Sequence, residues 1–350
     1  MIQSVAQDES RDNWLMTSTY NDTVLETYNS SADFVVTESE GAGTRYMGFN
    51  MNEFPGSSKA FRKSVSCLFD KETFLASDAT FSHASSENQF VAHSEWRTNV
   101  TNGALFDCMG MTQDERRAYA TGKLQEEGWS VDGSWTDFPL INLTGPNNES
   151  LPLNDSAWKI LAPHRPPGSP FKFFFFYGEL LAGAAEQIAQ DLTDFGIPIN
   201  ASLVHPKLVF KAIKIPTDAC PAYGATSVNY FMYILFYQTN VAVQTHLPAY
   251  FDSSNDICVN MNGDNLVHFS NSTFDDLDVQ FKAANTLEDT IVFAKDQQEI
   301  LQEELPYMNL FNIKHTDVFR DVVLPFELNN VMLDGYSSFG GIPELLKPVN

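Results

Sequence analysis

Side chains able to hold a metal or attack a bond are present in this chain, but their spacing argues against both. Of the seven histidines, His83 and His93 lie ten residues apart in loop-like sequence, and the others are scattered without i,i+2 or i,i+4 pairs. Ligation of a metal by the protein alone is therefore not expected. The stretch NMNGDN offers oxygen ligands but lacks the Asp-x-Asp-x-Asp-Gly register and terminal Glu of a calcium loop, so it reads as a turn. There is no G-x-S-x-G, no H-E-x-x-H and no phosphate loop, and EGAGTRYMG has the wrong glycine register for a dinucleotide. The carboxylate pairs Asp275-Asp276 and Glu303-Glu304 fall on exposed helix faces and read as solvated. These residues point to binding without bond-making: no enzyme, no cofactor and no resident metal.

Four cysteines remain, Cys67, Cys108, Cys220 and Cys258, with no C-x-x-C among them. Four cysteines allow three pairings. Cys220 with Cys258 is favoured, since both sit in loop-like sequence flanking one strand, and closing that loop would stabilise by roughly 3–4 kcal/mol. Buried free thiols are the competing reading. Eight Asn-X-Ser/Thr acceptors, at Asn21, Asn29, Asn99, Asn142, Asn148, Asn154, Asn200 and Asn271, join the even cysteine count and low lysine content in favouring an exported, glycosylated chain. No run reaches the roughly 18 apolar residues of a membrane span, and the polar start shows no signal peptide. A net charge of −24 repels phosphate backbones and anionic lipid, so no nucleic-acid partner is expected.

The elements that must position any site follow from periodicity. At 350 residues, 43% hydrophobic and 19% charged, the chain can bury a large core. Residues 1–32 are polar and poorly defined. Phe34–Thr37 and Arg45–Met51 read as strands joined by a Gly-rich turn. Ser57 or Ser58 caps a helix whose inner face carries Phe61, Val65, Leu68 and Phe69. Thr112 opens a second helix with Glu115 placed as in a capping box, and Gly128 closes it.

In SPFKFFFFYGELLAGAAEQIAQDLTDFGIPINASLV an apolar run precedes a helix with Leu181, Ala184, Ala185, Ile188, Leu192 and Phe195 on one face. Gly196 stops that helix, and Ile197-Pro-Ile199 begins the next strand. Strand, helix and strand make a crossover unit, which implies a parallel pair. SVNYFMYILFY reads as a buried strand, and NSTFDDLDVQFKAA and TLEDTIVFAKDQQEILQEEL as two helices. The last would bury Leu287, Ile291, Ala294, Leu301 and Leu305. Pro306 then forces Leu305 out of the helical region and turns the chain into a strand at Met308–Ile313. Alternation of this kind makes an α/β layer.

Four stretches, in order over residues 45–311, carry a resemblance to a known family. RYMGFNMNEFPGSSKAFRKSVSCLFDKETF, GMTQDERRAYATGKLQEEGWSVDGSW, AAEQIAQDLTDFGIPIN and the segment ending QEILQEELPYMNLF resemble extracellular solute-binding protein family 5, the peptide- and nickel-type binding components of ABC transporters. The resemblance covers only that family's C-terminal half. It implies a periplasmic-binding-protein-like clamp of type II, with residues 33–310 as the second lobe and 311–350 as a tail returning toward a missing N-terminal lobe. It also implies an extracytoplasmic location, a membrane permease as partner, and a peptide or small organic solute held in an inter-lobe cleft. A non-transporting surface glycoprotein that keeps the fold is the alternative.

The loop after SVNYFMYILFY resembles the segment where the family places Gly-Trp and often an Asp that receives a peptide's ammonium group. Here Phe236, Tyr237, Gln238, Thr239 and Asn240 stand instead, and no carboxylate follows before Asp252. Tyr237 would be an aromatic platform, with Phe236, Gln238 and Asn240 beside it, suited to a neutral or apolar solute or to a peptide held by its backbone. Phe49 and Asn50 at a strand end, and His93 and Trp96 in an irregular segment, are the further candidates for the cleft lining.

Overall fold

The computed structural model describes residues 17–18, 26–28, 30–31, 34–39, 43–78, 81, 84–88, 90, 108–133, 135–149, 151, 159–164, 176–215, 220, 232–238, 243–313, 315–320, 326–327 and 347–348. At 17–18, 34–35, 37–39, 43, 176–179, 236–238, 243–246, 313, 315–320, 326–327 and 347–348 the description is of the backbone. In chain order the first elements are β1 (Thr17–Ser18), β2 (Phe34–Ser39), β3 (Gly43–Phe49), α1 (Lys59–Leu68), α2 (Lys71–Ala76), β4 (Ala84–Ser86) and α3 (Gln113–Glu126). The middle holds β5 (Lys159–Pro163), α4 (Phe176–Phe195), β6 (Asn200–Val204), α5 (Pro206–Lys214) and β7 (Met232–Gln238). Then come α6 (Val243–Phe251), α7 (Ser272–Ala283), α8 (Leu287–Glu304), β8 (Tyr307–Ile313), β9 (His315–Arg320), β10 (Phe326–Glu327) and β11 (Lys347–Pro348).

A six-stranded sheet in the order β4-β8-β3-β7-β5-β6 forms the centre. Its strands alternate between two cores, as the two-residue period of a strand requires. Met47, Phe49, Ile160, Ala162, Met232, Ile234 and Met308 join α1, α3 and α4 on one face. Tyr46, Leu161, Tyr233, Leu235 and Tyr307 join α5, α6, α7 and α8 on the other. The result is an α/β/α sandwich.

In β8 the alternation breaks, because Tyr46 pairs with Asn309 while Arg45 pairs with Phe311. Leu310 is the extra residue of this bulge, so Leu310 and Phe311 both enter the first core. At Gly48 an added Cβ would lie 2.5 Å from the Tyr233 ring, so only glycine lets these two strands carry the tyrosine between them.

Helix ends follow their capping chemistry. The Ser58 side chain accepts from Phe61 N. Thr112 and Glu115 make the full capping box, and Gly128 and Gly196 take φ of 90° and 114°. The inner faces expected for α1 and α4 are buried in the first core. On α8, Ala294 and Leu301 are buried, but Leu287 is 64% exposed because it is the first helical residue and turns away from the core. Leu305 leaves the right-handed region as expected, yet adopts φ 49° and ψ 57°, a left-handed cap whose N–H returns to Leu301 O, rather than a strand conformation.

Two strand expectations shift. The helix α4 already includes Phe176, and among the described residues the strand that precedes it is Lys159–Pro163. Residues 170–175 of the apolar run lie outside the described residues. After Gly196 the strand begins at Asn200 rather than at Ile197. The parallel pairing stands: β5 and β6 run parallel across α4.

The two early strands belong to different sheets. β2 pairs with β9, which also pairs with β1, in a separate three-stranded antiparallel sheet. Disulfides join Cys67 to Cys108 and Cys220 to Cys258. Among the described residues no helix is long and apolar enough to cross a membrane.

Candidate functional site

Pairing directions converge on one edge of the central sheet. β7 and β8 both run antiparallel to β3, and β5 and β6 run parallel to β7. The carboxyl ends of β5, β6, β7 and β8 therefore lie together, beside the first residues of β3 and β4. Open α/β sheets take their ligands at this edge, where loops are free to vary and backbone groups are not used up by the ladder.

A polar row crosses the sheet there. Ser85 pairs with Asn312, Asn312 with Thr44, and Thr44 with Tyr237. Thr44 and Asn312 are buried and Ser85 is half-buried. One step inward, buried Arg45 pairs with Phe236 on one side and Phe311 on the other.

The edge strand β4 is held in place by an unusual brace. Lys71, first residue of α2, is buried; its Nζ donates to Glu87 O at 2.7 Å, to Asn309 O at 2.9 Å and to the Asn88 side chain. Burial pushes its ammonium down to about 8, against the pull of Glu72 and Glu87. Three acceptors satisfy its three donors, so Lys71 ties the residues after β4 to β8 rather than serving as a base.

Two histidines far apart in sequence come into register at the same edge. His164 follows β5, half-buried, and its N–H donates to Val204 O at 2.7 Å. His205 follows β6, and its Nδ1 accepts from Lys207 N at 3.2 Å, capping α5. With Nδ1 accepting, neutral His205 carries its proton on Nε2 and offers a donor, not a metal lone pair.

The expected site residues separate into two groups. Phe236, Tyr237 and Gln238 are the last three positions of β7, in register with Arg45, Thr44 and Gly43. Asn240, His93 and Trp96 lie outside the described residues. Phe49 and Asn50 do not join the row that holds Tyr237. They stand at the far end of β3, about 20 Å from Thr44 at the rise of an extended strand. Phe49 has no exposed surface and belongs to the first core. Asn50 is buried, and its Oδ1 accepts from Asn52 N at 3.1 Å as a turn cap. Thr44, Ser85, Asn312 and His164 are candidates that carry no mark in the sequence, because polar residues at strand ends look like ordinary strand boundaries until register places them together.

One further cluster has the residue types of a metal site. Ligand atoms of Asp256, Cys258 and His268 lie within 4.8 Å of one another. The Cys258 sulfur is bonded to Cys220, so the thiolate that a metal needs is gone. His268 Nδ1–H donates to Asp256 Oδ1 at 2.9 Å, and Cys258 N donates to the same oxygen at 2.7 Å. The arrangement closes a turn.

A mixed sheet with helices on both faces and a second small sheet built from β1, β2 and β9 is a periplasmic-binding-protein-like α/β fold. No family model matches the chain, and no curated protein matches it by sequence. Solved structures do. NikA from Brucella suis, solved with Fe(III)-EDTA, matches with a TM-score of 0.62 at 16% identity, over 99% of this chain and 59% of that one. NikZ from Campylobacter jejuni, solved with Ni(L-His), matches with a TM-score of 0.62 at 14% identity, over 91% of this chain and 54% of that one. The oligopeptide-binding protein AppA from Bacillus subtilis, solved with a nonapeptide, matches with a TM-score of 0.60 at 14% identity, over 91% and 54%. The chain thus shares the fold of peptide- and nickel-type solute-binding proteins and spans little more than half of their length.

Proposed function

We propose that this chain forms one wall of a solute-binding cleft and captures a peptide or other small organic solute for an ABC importer outside the cytoplasm. Its partners in this reading are a membrane permease and a first lobe that closes over the edge described above. Capture needs no proton transfer; its work is a difference in affinity between open and closed states.

The observation that supports this most is the shared register of Tyr237, Thr44 and Asn312 at the carboxyl edge. It places an aromatic residue, a hydroxyl and an amide in one row, where α/β folds bind ligands. With no carboxylate between Tyr237 and Asp252, the row suits neutral solutes or the backbone of a peptide rather than a free ammonium group. In this reading the binding lobe is the six-stranded body at about residues 43–313, and β2 and β9 are its crossings to the rest.

Titration of the isotope-labelled chain with millimolar short peptides, sugars and metal chelates, followed by amide shifts, tests the proposal. Shifts should concentrate at the ends of β3, β7 and β8 for one ligand class, and Tyr237→Ala should weaken them. Shifts absent from that edge for every ligand would overturn it.

A further inference from the structure

The disulfide between Cys220 and Cys258 ties up one member of a three-residue ligand cluster, Asp256, Cys258 and His268. While that bond is closed the Cys258 sulfur has no charge to offer a metal. Opening it returns a thiolate to a place where the other two ligands already stand. Cys258 Sγ is 3.5 Å from His268 Nδ1, and that nitrogen is 2.9 Å from Asp256 Oδ1. A tetrahedral zinc bonds sulfur at about 2.3 Å and nitrogen or oxygen at about 2.0 Å. Its ligand atoms then lie about 3.5 Å apart for sulfur and nitrogen, and about 3.3 Å for nitrogen and oxygen. The first separation is already met, and the second needs a widening of about 0.4 Å.

The turn that carries these ligands is held by contacts other than the disulfide. Asp256 bridges to Asn265, Ile257 N donates to Asn265 O, and the N–H groups of Val259 and Asn260 donate to Asp256 O. Buried Asn265 ties the ends together: its Nδ2 donates to Asp252 O and Phe269 O, and its Oδ1 accepts from Phe269 N. His268 adopts φ 61°, a left-handed conformation that disfavours any residue with a Cβ, and its ring is nonetheless buried beside the sulfur and the carboxylate. Val267 O accepts from Met51 N just past β3, so the cluster sits at the end of the central sheet opposite the binding edge.

Access favours the same sulfur. Cys67, Cys108 and Cys220 are buried, whereas Cys258 is half-buried in a turn whose Val259 and Met261 are exposed. A small dithiol therefore meets Cys258 first.

We propose that reduction of the Cys220–Cys258 disulfide uncovers a binding site for a zinc-class divalent cation, held by Cys258, His268 and Asp256. One thiolate of a dithiol attacks the Cys258 sulfur and Cys220 leaves; the second sulfur of the dithiol then displaces Cys258. The dithiol ends as its own disulfide, and its two protons pass to Cys220 and Cys258. On binding, the Cys258 thiol gives its proton to water, and His268 passes to the Nε2–H tautomer so that Nδ1 can ligate. Thiolate, imidazole and carboxylate together select zinc, cobalt or nickel over magnesium and calcium, and a fourth position is left for water. The inference is independent of the solute-binding reading.

Titration of the full chain with cobalt(II), a coloured stand-in for zinc, tests it. Cys220→Ser frees Cys258 without any reductant and leaves the other disulfide closed. This variant should bind one cobalt per chain, with sulfur-to-cobalt charge-transfer absorption in the near ultraviolet. Zinc should bleach the band and excess magnesium should not. The oxidised wild type should lack the band, and the wild type treated with a phosphine reductant should acquire it. C220S/H268A should bind at least about tenfold more weakly, and C220S/C258S should lose the band. Circular dichroism checks the fold of each sample, and the reduced wild type serves if C220S does not fold. Three results would each overturn the inference: no band in folded C220S or folded reduced wild type, an undiminished affinity in C220S/H268A, or a band in the oxidised chain. Unfolding of the chain by both routes would do so too, since the site requires a folded turn.

Discussion

Asp278 is a carboxyl with no solvent exposure, 2.5 Å from Lys282 Nζ, which also reaches Asp252 at 3.5 Å. Burial pushes Asp278 up to about 6, a hydrogen bond with Asp252 raises it further, and Lys282 opposes both. Asp252 is held below its usual range: burial raises it, but hydrogen bonds from Asp278 and Ser254, with Lys282 nearby, outweigh that. The two titrate as a pair, with the proton on Asp278. Between the unfolded value near 4 and the folded value near 6 the native state binds a proton that the unfolded chain does not. Asp278 therefore adds stability as pH falls through that window and detracts above it. Asp278→Asn should raise stability in urea by about 2 kcal/mol at neutral pH and flatten the slope between pH 4 and 6. A variant less stable at neutral pH, with the slope unchanged, would refute this pairing. Sequence could not announce it, since Asp278 is one of many acids on helices that read as solvated. At the same scale Phe49 and Asn50 look like cleft residues, as polar-aromatic pairs at a strand end do. Only the strand's direction tells that Phe49 and Asn50 stand at the opposite end of β3 from the carboxyl ends of β7 and β8.

Elements are joined by a few buried polar clamps, and Arg62 is the clearest. Its guanidinium, 1% exposed, donates to Glu304 O at 2.6 and 3.0 Å, to Gly56 O at 2.8 Å and to Ser57 O at 3.0 Å. The last carbonyl of α8 and two carbonyls of the turn before α1 are thus satisfied by one side chain, where the left-handed Leu305 ends the helix. Burial pulls Arg62 down to about 10, opposed by Glu304 and Glu127, so it stays a cation at neutral pH. Arg62→Lys keeps the charge but loses the planar fork, and should cost about 1–2 kcal/mol; Arg62→Met, leaving the carbonyls bare, about 3 kcal/mol. A lower urea midpoint at constant m-value is the expected record, and a lysine variant as stable as the wild type would show that the fork is not needed. Periodicity made most elements legible here. The faces of α1 and α4, the capping box at Thr112 and the stop at Gly196 all follow from side-chain type at fixed spacing. What it missed was short or irregular: β5 has five residues in a polar neighbourhood, and the bulge at Leu310 breaks the alternation by which strands are recognised.

At the scale of the molecule, local sequence says which segments are strands but not which strands are neighbours. β2 and β3 are close in the chain and lie in different sheets, while β2 and β9 pair from opposite ends of it. Pairing across such distances depends on side chains from many segments at once, so it is not written in any window of the sequence. The topology has a dynamic consequence. β3, β7 and β8 have neighbours on both sides and a core on each face, including the Tyr46–Tyr307 stack at 4.1 Å between ring centres. The three-stranded sheet is small, and β1 meets β9 at two register positions. In the chain β2 comes three residues before β3, and β9 one residue after β8. Opening the small sheet need not disturb either core, so it can precede global unfolding. Native-state hydrogen exchange should then divide the backbone in two. Amides of Met47, Ile234 and Leu310 should exchange only with global unfolding. Those of Val36, Thr37 and Val318 should exchange through an opening at least about 2 kcal/mol less costly, with a weak dependence on denaturant. Equal exchange free energies in both sets would mean that the small sheet unfolds only together with the central one.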